Sequence, residues 1–244
     1  MLLLTVMHTT VVIPVYNEQS FIQQCLDSLS HQTVMPDRVL LVDNNCTDDT
    51  IAIARTYSFV EIIKESEQGI CAATKTGLDA AALNGGIILR CDADSRPSSN
   101  WIETVSAQFS DKDIIAVTGP GEFYDLTGIK KWLAHTLYMK AYFKTVGRAL
   151  GQKPLFGSNF ALRASLWQTI SDETHLDKQD LHDDMDISYH VAHHGAITYV
   201  PTNIMPVSGR PFTSLYSLLK RYPIGMKSIL IHWPKQAPWR IRIS

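Results

Sequence analysis

The sequence predicts an α/β protein with a mostly parallel central sheet that is flanked by helices. Apolar runs rich in Val, Ile and Leu alternate with stretches of helical spacing, and this alternation is typical of β-α-β units. The runs are nearly continuous, as in strands that are buried on both faces. They are TTVVIPVY (9–16), RVLLVDNN (38–45), VEIIK (60–64), GIILRCDAD (86–94) and DIIAVTG (113–119).

Size and composition favour one domain. A chain of 244 residues, 45% of them hydrophobic, can bury a substantial core, and no repeat, low-complexity tract or linker divides it. We expect residues 1–205 to form the main α/β body and residues 206–244 to form a basic helical extension of the same domain. No apolar run approaches the roughly 18 residues of a membrane-spanning helix, and no signal peptide is recognisable. A cytoplasmic location is therefore the expectation.

Charge is distributed unevenly along the chain. Residues 1–186 hold all 24 acidic and 15 of the 22 basic side chains, whereas residues 187–244 hold 7 basic and no acidic side chains. The asymmetry indicates either a C-terminal part that faces phosphate or a membrane surface, or an ordinary solvated basic surface. The 4 cysteines form no CxxC pair, which favours reduced packing residues over a zinc site or a disulfide framework.

Two segments show amphipathic helical spacing. The first follows the first strand, with Ser20 as the predicted N-cap and apolar residues from Phe21 to Leu29 on one face. The second, residues 128–150, combines aromatic residues with Lys and Arg at every fourth position near its end. We favour packing of this segment on the sheet, and the alternative is a basic face that lies on anionic lipid.

Polar clusters follow three of the predicted strands, where ligands bind in a parallel sheet. A dinucleotide-binding protein would carry GxGxxG after the first strand, but that turn reads VYNEQS, which disfavours this class. The clusters consist of Pro14, Tyr16, Asn17 and Glu18; of Asp43, Asn44 and Asn45; and of Asp92 and Asp94.

The acidic pair after the fourth strand is a candidate metal site. Asp92 and Asp94 are separated by one residue, so their carboxylates can share a hard divalent cation such as Mg²⁺ or Mn²⁺. Solvated loop charges are the ordinary alternative for such a pair. The strand end raises the probability of a site, because Asp43 adds a third acid and the repulsion among the three requires a cation or hydrogen-bond donors.

Six motifs follow one another along the chain: VVIPVYNE, LLVDNNCTDDT, EQGICAATKTGLDAA, LRCDADS, GSNFALR and LHDDMDISYHVAHHG. Taken together and in this order, they resemble the family 2 glycosyltransferases, inverting enzymes of the GT-A (nucleotide-diphospho-sugar transferase) fold. The resemblance extends over roughly residues 9–200. Cys46 stands where the family commonly has Ser, and Thr74 stands where Arg is frequent.

The resemblance implies a nucleotide-sugar donor, with UDP as the default nucleotide. The ring of Tyr16 would pack on the base and Asp43 would accept its N–H. Asp92 would contact the ribose or the metal, and Asp94 would coordinate Mn²⁺ or Mg²⁺ on the diphosphate. Taken singly, Tyr16 and Asp43 also suit an ordinary strand end and a helix cap. The donor-side candidates are Pro14, Tyr16, Glu18, Asp43, Lys75, Asp92 and Arg221.

A second acidic cluster, DLHDDMDIS at 180–188, supplies the candidate general base. Glycosyl transfer to a hydroxyl needs such a base, and the resemblance assigns the role to Asp184, with Asp183 where the family usually has Glu. Acids at this place also complement a helix N-terminus. Gly157, Ser158 and Asn159 of GSNFALR, together with Asp183, are the acceptor-side candidates; for GSN, a tight turn before a strand is the alternative.

The histidines and the basic C-terminal segment carry weaker signals. His182, His190, His193 and His194 lie close in sequence, but helical His pairs are more often surface residues, and we predict no zinc site. Arg221 resembles a diphosphate-contacting Arg of polysaccharide synthases, whose transmembrane helices are absent here. This favours transfer of a single sugar. Arg210, Lys220 and Arg221 suit phosphate groups.

The predicted function is metal-dependent, inverting transfer of a hexose-like sugar to a hydroxyl acceptor of a cell-envelope glycan or glycolipid. A lipid-linked acceptor and peripheral contact with the inner face of the membrane belong to this hypothesis, and nucleic acid does not. One alternative is a nucleotidyltransferase, although its Gly-rich phosphate loop is missing. The other is a non-catalytic nucleotide-sugar binding protein, which would not require a base at Asp184.

Overall fold

The computed structural model describes residues 7–178, 180–212 and 215–233, and the side chains of 137 and 215–222 lie outside that description. The strands are β1 Thr9–Val15, β2 Arg38–Asp43, β3 Val60–Lys64, β4 Ile87–Arg90, β5 Ala116–Thr118, β6 Gly121–Phe123, β7 Phe160–Arg163, β8 Ile197–Tyr199 and β9 Met205–Val207. The helices are α1 Ile22–Ser30, α2 Thr50–Ala54, α3 Ile70–Ala82, α4 Trp101–Gln108, α5 Gly128–Leu133, α6 Lys140–Leu150, α7 Ala164–Ile170, α8 Asp183–Ala192 and α9 Leu215–Leu230. A π-helical segment, Ala134–Met139, joins α5 to α6, and 3₁₀ turns lie at Ser171–Glu173 and Arg210–Phe212.

Seven strands form one sheet in the order β3-β2-β1-β4-β7-β5-β8. All pairs are parallel except those of β7, which runs antiparallel to β4 and β5. The register sets Val15 of β1 beside Asp43 of β2, so the first two polar clusters leave the sheet side by side. A separate parallel pair, β6 and β9, lies outside this sheet.

Helices cover both faces of the sheet, which explains the continuous apolar runs. In β1, Val11 and Ile13 pack with α1 and α4 on one face, and Val12 packs with α3 and α7 on the other. All three of these side chains are fully buried. Each strand residue therefore needs an apolar side chain whichever way it points.

The structure confirms the five predicted strands and the helical character of 128–150, with a π-helical turn in the middle of that segment. The prediction of Ser20 as N-cap is wrong. Phe21 occupies that position and α1 has no side-chain cap, because the chain turns through backbone hydrogen bonds from Phe21 and Ile22 to the carbonyl of Glu18. Within the described residues, no helix is both long and apolar enough to cross a membrane.

Close packing of α3 on the sheet gives a stability prediction. A Cβ added at Gly77 would lie 2.4 Å from Cγ1 of Val12 and 2.9 Å from Cγ2 of Val42. Although Ala is the better helix former, we expect Gly77→Ala to lower the free energy of unfolding by about 1–3 kcal/mol through overpacking. Urea unfolding measures this change in the free energy of unfolding. The matched helical control is Gly225→Ala, whose nearest neighbour would be 3.7 Å away; equal stability of both variants would contradict the prediction.

Candidate active site

A cavity of about 1090 Å³ lies beyond the carboxyl ends of β1, β2 and β4. Helices α6, α8 and α9 form its other walls, so the first and second halves of the chain meet there. The predicted site residues that line it are Pro14, Tyr16, Glu18, Asp92, Asp94, Gly157, Ser158, Asp183 and Asp184. Parallel strands that end at one edge of a sheet place these distant parts of the sequence together.

Arg90, the last residue of β4, joins the two acidic clusters. Its guanidinium lies 2.7 Å from Oδ1 of Asp92 and 3.1 Å from Oδ2 of Asp183, and its side chain is only 2% exposed. A buried charge is tolerated only when it is paired, so the two carboxylates together stabilise the buried guanidinium of Arg90. Thr74 also donates to Oδ2 of Asp183, at 2.7 Å. Asp183 is therefore buried and held by two donors.

The GSN segment (157–159), which directly precedes β7, completes this network. The hydroxyl of Ser158 donates to Oδ2 of Asp92 at 2.5 Å. A Cβ at Gly157 would lie 2.9 Å from Nη1 of Arg90 and 3.2 Å from Oδ2 of Asp184, so glycine permits the close approach of both groups. Ser158 and Gly157 thus shape the cavity floor between the acidic clusters.

Asp94 and Glu18 face the same cation, Arg210. Nη2 of Arg210 is 2.7 Å from Asp94 and Nη1 is 2.8 Å from Glu18. Burial, and next the charge of Asp92, raises the pKa of Asp94 to about 6. Burial also raises the pKa of Glu18. Three carboxylates around one cavity form an oxygen donor set that requires cations, and this fits a hard divalent metal held by Asp92 and Asp94.

Asp184, in the first turn of α8, also presents its carboxylate to the cavity. Oδ2 accepts the backbone N–H of Gly157 at 2.8 Å and lies 3.1 Å from the hydroxyl of Tyr142. Oδ1 accepts the N–H of Met185 at 2.8 Å. Burial, followed by the charge of Asp183, raises the pKa of Asp184. The group is thus a fixed carboxylate with increased basicity, which suits proton abstraction.

Tyr16 and Pro14 line the cavity at the end of β1. The Tyr16 side chain is 50% exposed and offers a ring for stacking. Asn44, next to it, accepts the N–H of Gly69 at 2.8 Å and donates to the carbonyls of Glu65 and Glu67. Asn44 therefore fixes the loop that leads into α3 and borders the cavity.

Four predicted residues lie apart from the cavity or outside the description. Asp43 is buried, does not line the cavity and accepts the N–H of Cys46 at 2.9 Å, which is a local turn before α2 and not a cap of that helix. Lys75 pairs with Asp79 on α3. Asn159 is buried against Trp101 and Asn203. The Arg221 side chain lies outside the described residues.

Sequence reasoning missed three residues that organise the site. Arg90 had a signal, since a charged residue closes an otherwise apolar strand directly before two aspartates. Thr74 was noted only as a departure from the family, and the structure shows that it binds Asp183. Tyr142 is one of the aromatic residues of the predicted helix at 128–150, and its contact with Asp184 spans 42 residues, which no local pattern reveals.

Solved structures define the class of fold. S. aureus TarS has a TM-score of 0.68 at 16% identity, over 93% of this chain and 39% of that chain. The mannosyltransferase PcManGT from Pyrobaculum calidifontis, in complex with GDP-Man and Mn²⁺, has a TM-score of 0.66 at 19% identity, over 89% and 61%. Glucosyl-3-phosphoglycerate synthase from Mycobacterium tuberculosis, with Mn²⁺ and UDP, has 0.58 at 20%, over 90% and 81%. The fold is GT-A, as the sequence predicted.

Sequence comparison identifies the family. The profile of Glycosyl transferase family 2 matches residues 10–169, well over half of the chain, and the protein belongs to this family. Glycosyltransferase AglE of Haloferax volcanii is 35% identical over 126 residues, which are 49% of this chain and 41% of AglE. O-antigen chain rhamnosyltransferase RfbN of Salmonella typhimurium is 29% identical over 115 residues, 46% and 37% of the respective chains. The chain spans about two fifths of these relatives.

The raised pKa of Asp94 gives a testable pH dependence. Because this pKa, about 6, exceeds the ordinary value of 3.8, ionised Asp94 costs folding free energy. When a chelator keeps metal away, the contribution of Asp94 to the free energy of unfolding falls as the pH rises from below 3.8 to above 6. Asp94→Asn should therefore raise metal-free stability by roughly 1–3 kcal/mol at about pH 8 and by little at about pH 4. Urea unfolding at both pH values measures the difference.

The exposed Asp113→Asn is the control and should leave stability unchanged at both pH values. Mn²⁺ should stabilise the wild type and the control but not Asp94→Asn, because binding to the native state alone shifts unfolding. A loss of stability in metal-free Asp94→Asn at about pH 8 would contradict the raised pKa, since it would show that pairing with Arg210 outweighs repulsion.

Proposed function

We propose that this protein is an inverting glycosyltransferase that moves one sugar from a nucleoside diphosphate to a hydroxyl acceptor. One observation carries the proposal. The acidic pair beyond β4 and the carboxylate of Asp184 line the same cavity, and buried Arg90 pairs with Asp92 and with Asp183, the neighbour of Asp184. This arrangement supports a donor diphosphate and a general base that act on one bound sugar.

The proposed step begins at Asp184. Its carboxylate removes the proton of the acceptor hydroxyl, and the oxygen attacks the anomeric carbon from the face opposite the diphosphate. The new C–O bond forms as the bond to the diphosphate breaks, and the nucleoside diphosphate leaves with the electron pair. Gly157 and Tyr142 hold the carboxylate in place for this attack. The result is inversion at the anomeric carbon.

Asp92 and Asp94 would hold Mn²⁺ or Mg²⁺, which neutralises charge on the diphosphate when bound. Support comes from the oxygen donor set in this chain and from the Mn²⁺ complexes of PcManGT and glucosyl-3-phosphoglycerate synthase. Arg210 contacts Asp94 and Glu18 at the same place, so its guanidinium can also bind phosphate oxygens. Arg210 would thus place a positive charge of the protein itself beside the leaving group.

The donor is proposed to be a UDP-sugar, with a GDP-sugar as the next candidate. Structures of similar fold hold UDP or GDP-Man, which supports either nucleotide. The half-exposed ring of Tyr16 supplies a stacking surface that suits both bases. Which hydrogen bonds distinguish the bases depends on loop shape, and the sugar depends on the wall formed by α6 and α9.

The acceptor is proposed to be lipid-linked, and the protein to work at the inner face of the membrane. The wall formed by α6 and α9 is largely apolar, with Val146, Ile224 and Ile229 facing the cavity. On α5, Ile129 and Trp132 are 73% and 62% exposed beside two lysines. Such a face suits the anionic lipids of the cytoplasmic leaflet. Acceptors of this kind would reach the cavity from that surface.

The test of the activity starts with a panel of nucleotide sugars in Mn²⁺. One donor should release nucleoside diphosphate slowly in water, and release of pyrophosphate would indicate a nucleotidyltransferase instead. Asp184→Asn should lower acceptor-dependent transfer by about 10²–10⁴-fold, the usual contribution of a general base. Its affinity for the donor with Mn²⁺, measured by calorimetry, should stay near that of the wild type.

The matched control is Asp180→Asn, three residues outside α8, where the acid is exposed and pairs with Lys227. It should retain transfer. Near-normal turnover of Asp184→Asn would refute the assignment of the base. Absence of any donor binding in the wild type would refute the transferase proposal. It would count equally against a non-catalytic nucleotide-sugar binding protein.

Membrane contact is tested by flotation with vesicles of phosphatidylglycerol and phosphatidylcholine. The wild type should float with the vesicles at low salt and less at high salt, because part of the attraction is electrostatic. Ile129→Ser combined with Trp132→Ser should reduce flotation several-fold. Leu83→Ser, an exposed leucine on another helix end, is the control. Equal flotation of all three proteins would leave α5 without a lipid role.

A further inference from the structure

A second cluster of ligating side chains lies on the other side of α8 from the proposed base. It contains His175, Asp186, His190 and His232, and one ligating atom from each lies within 4.8 Å of all the others. His175 follows a 3₁₀ turn, Asp186 and His190 are one turn apart on α8, and His232 follows α9. Three segments that are distant in sequence thus converge on one point.

Asp186 is at the centre of this cluster. It is fully buried, and its Oδ1 lies 2.9 Å from Nδ1 of His175 and 2.9 Å from Nε2 of His232. The backbone N–H of His175 also donates to Oδ2 at 2.8 Å. The carboxylate is therefore already surrounded by imidazole nitrogens.

His190 supplies an independent sign that a ligand is missing from the hydrogen-bond network. Its side chain is 3% exposed, yet neither ring nitrogen has a hydrogen-bond partner. Nε2 points towards Asp186 but lies 3.9 Å from Oδ2, which is too far for a hydrogen bond. Buried nitrogens without partners are costly and need an explanation.

We propose that His175, Asp186, His190 and His232 bind one zinc ion that fastens α9 to the body of the protein. Three imidazole nitrogens and one carboxylate oxygen are ligands that Zn²⁺ accepts in tetrahedral sites. Bonds of 2.0–2.1 Å would place neighbouring ligand atoms about 3.3 Å apart, so the four ligand atoms, which now lie within 4.8 Å of one another, would have to move closer by about 1.5 Å at most. Because four protein ligands fill the coordination, the site is structural rather than catalytic.

The position of the cluster explains what a structural ion would do. Helix α9 lines the cavity through Ile224, Gly225 and Ile229, and α8 carries Asp184. Besides His232, α9 is joined to the segment that leads into α8 by the 2.8 Å bond from the N–H of His182 to the hydroxyl of Ser228 and by the ion pair of Lys227 with Asp180. Zinc would add a strong link between α8 and α9 and so fix the apolar wall opposite the donor.

The test uses the purified full chain without affinity tags that contain histidine. After removal of metal with chelator and gel filtration, ZnCl₂ should bind with one site per chain by calorimetry and elemental analysis. It should raise the midpoint of thermal unfolding by roughly 5–10 °C when it is about 100-fold above its Kd, and MgCl₂ should not reproduce this shift. Co²⁺ in the site should show the visible absorption bands of a four-coordinate ion.

His190→Leu should weaken zinc binding by more than about 100-fold, because it removes a direct ligand. It also removes the two unpaired nitrogens, so the metal-free variant should fold at least as well as the metal-free wild type. His175→Gln, at a partly exposed position, is a second variant that should weaken zinc binding. His193→Ala, one turn along and exposed, is the matched control and should bind zinc normally.

Asp94→Asn separates this site from the cavity, since it should leave the zinc stoichiometry at one. Failure of the metal-free wild type to bind Zn²⁺ would overturn the proposal. So would zinc binding that His190→Leu leaves intact, or that Asp94→Asn abolishes. None of these readouts depends on transfer activity, so the zinc site and the proposed function can fail separately.

Discussion

The geometry of the site depends on the ion pairs of Arg90. A guanidinium at the end of a buried strand cannot remain unpaired, and the two carboxylates within reach belong to Asp92 and Asp183. Asp92 is on the loop after β4, and Asp183 begins α8. Because one buried cation serves both, the loop after β4 and the helix that carries Asp184 are held at a fixed separation. Glycine at 157 is required by the same contact, since a Cβ there would meet the guanidinium.

Negative charge at the cavity is balanced by groups of different kinds. Arg90 is buried and structural, whereas Arg210 comes from a 3₁₀ turn late in the chain and reaches Glu18 and Asp94 from the surface. The raised pKa of Asp94 shows that this compensation is incomplete, because burial and Asp92 still disfavour the ionised form. A site with residual negative charge of this kind is suited to a divalent cation that arrives with a diphosphate.

Helix α8 has different tasks on its two sides. Asp183 and Asp184 turn towards the cavity, and Asp186 and His190 turn towards His175 and His232. Asp184 and Asp186 are two residues apart, so they point in different directions, whereas Asp183 is separated from Asp186 and His190 along the helix axis. His232, which follows α9, contacts Asp186 and so joins α9 to the helix that carries the proposed base.

The sequence alone determined the strands β1 to β5, the class of fold and the acids of the site, because burial on both faces and carboxylates at strand ends leave local patterns. It placed Tyr16, Asp92, Asp94 and Asp184 in one region by family resemblance, and all four line one cavity. It could not show that Asp43 and Asn159 are buried supports or that Lys75 turns away. Nor could it join His175 to His232. Those outcomes depend on which side chains meet after packing, and only the tertiary structure brings together residues tens of positions apart.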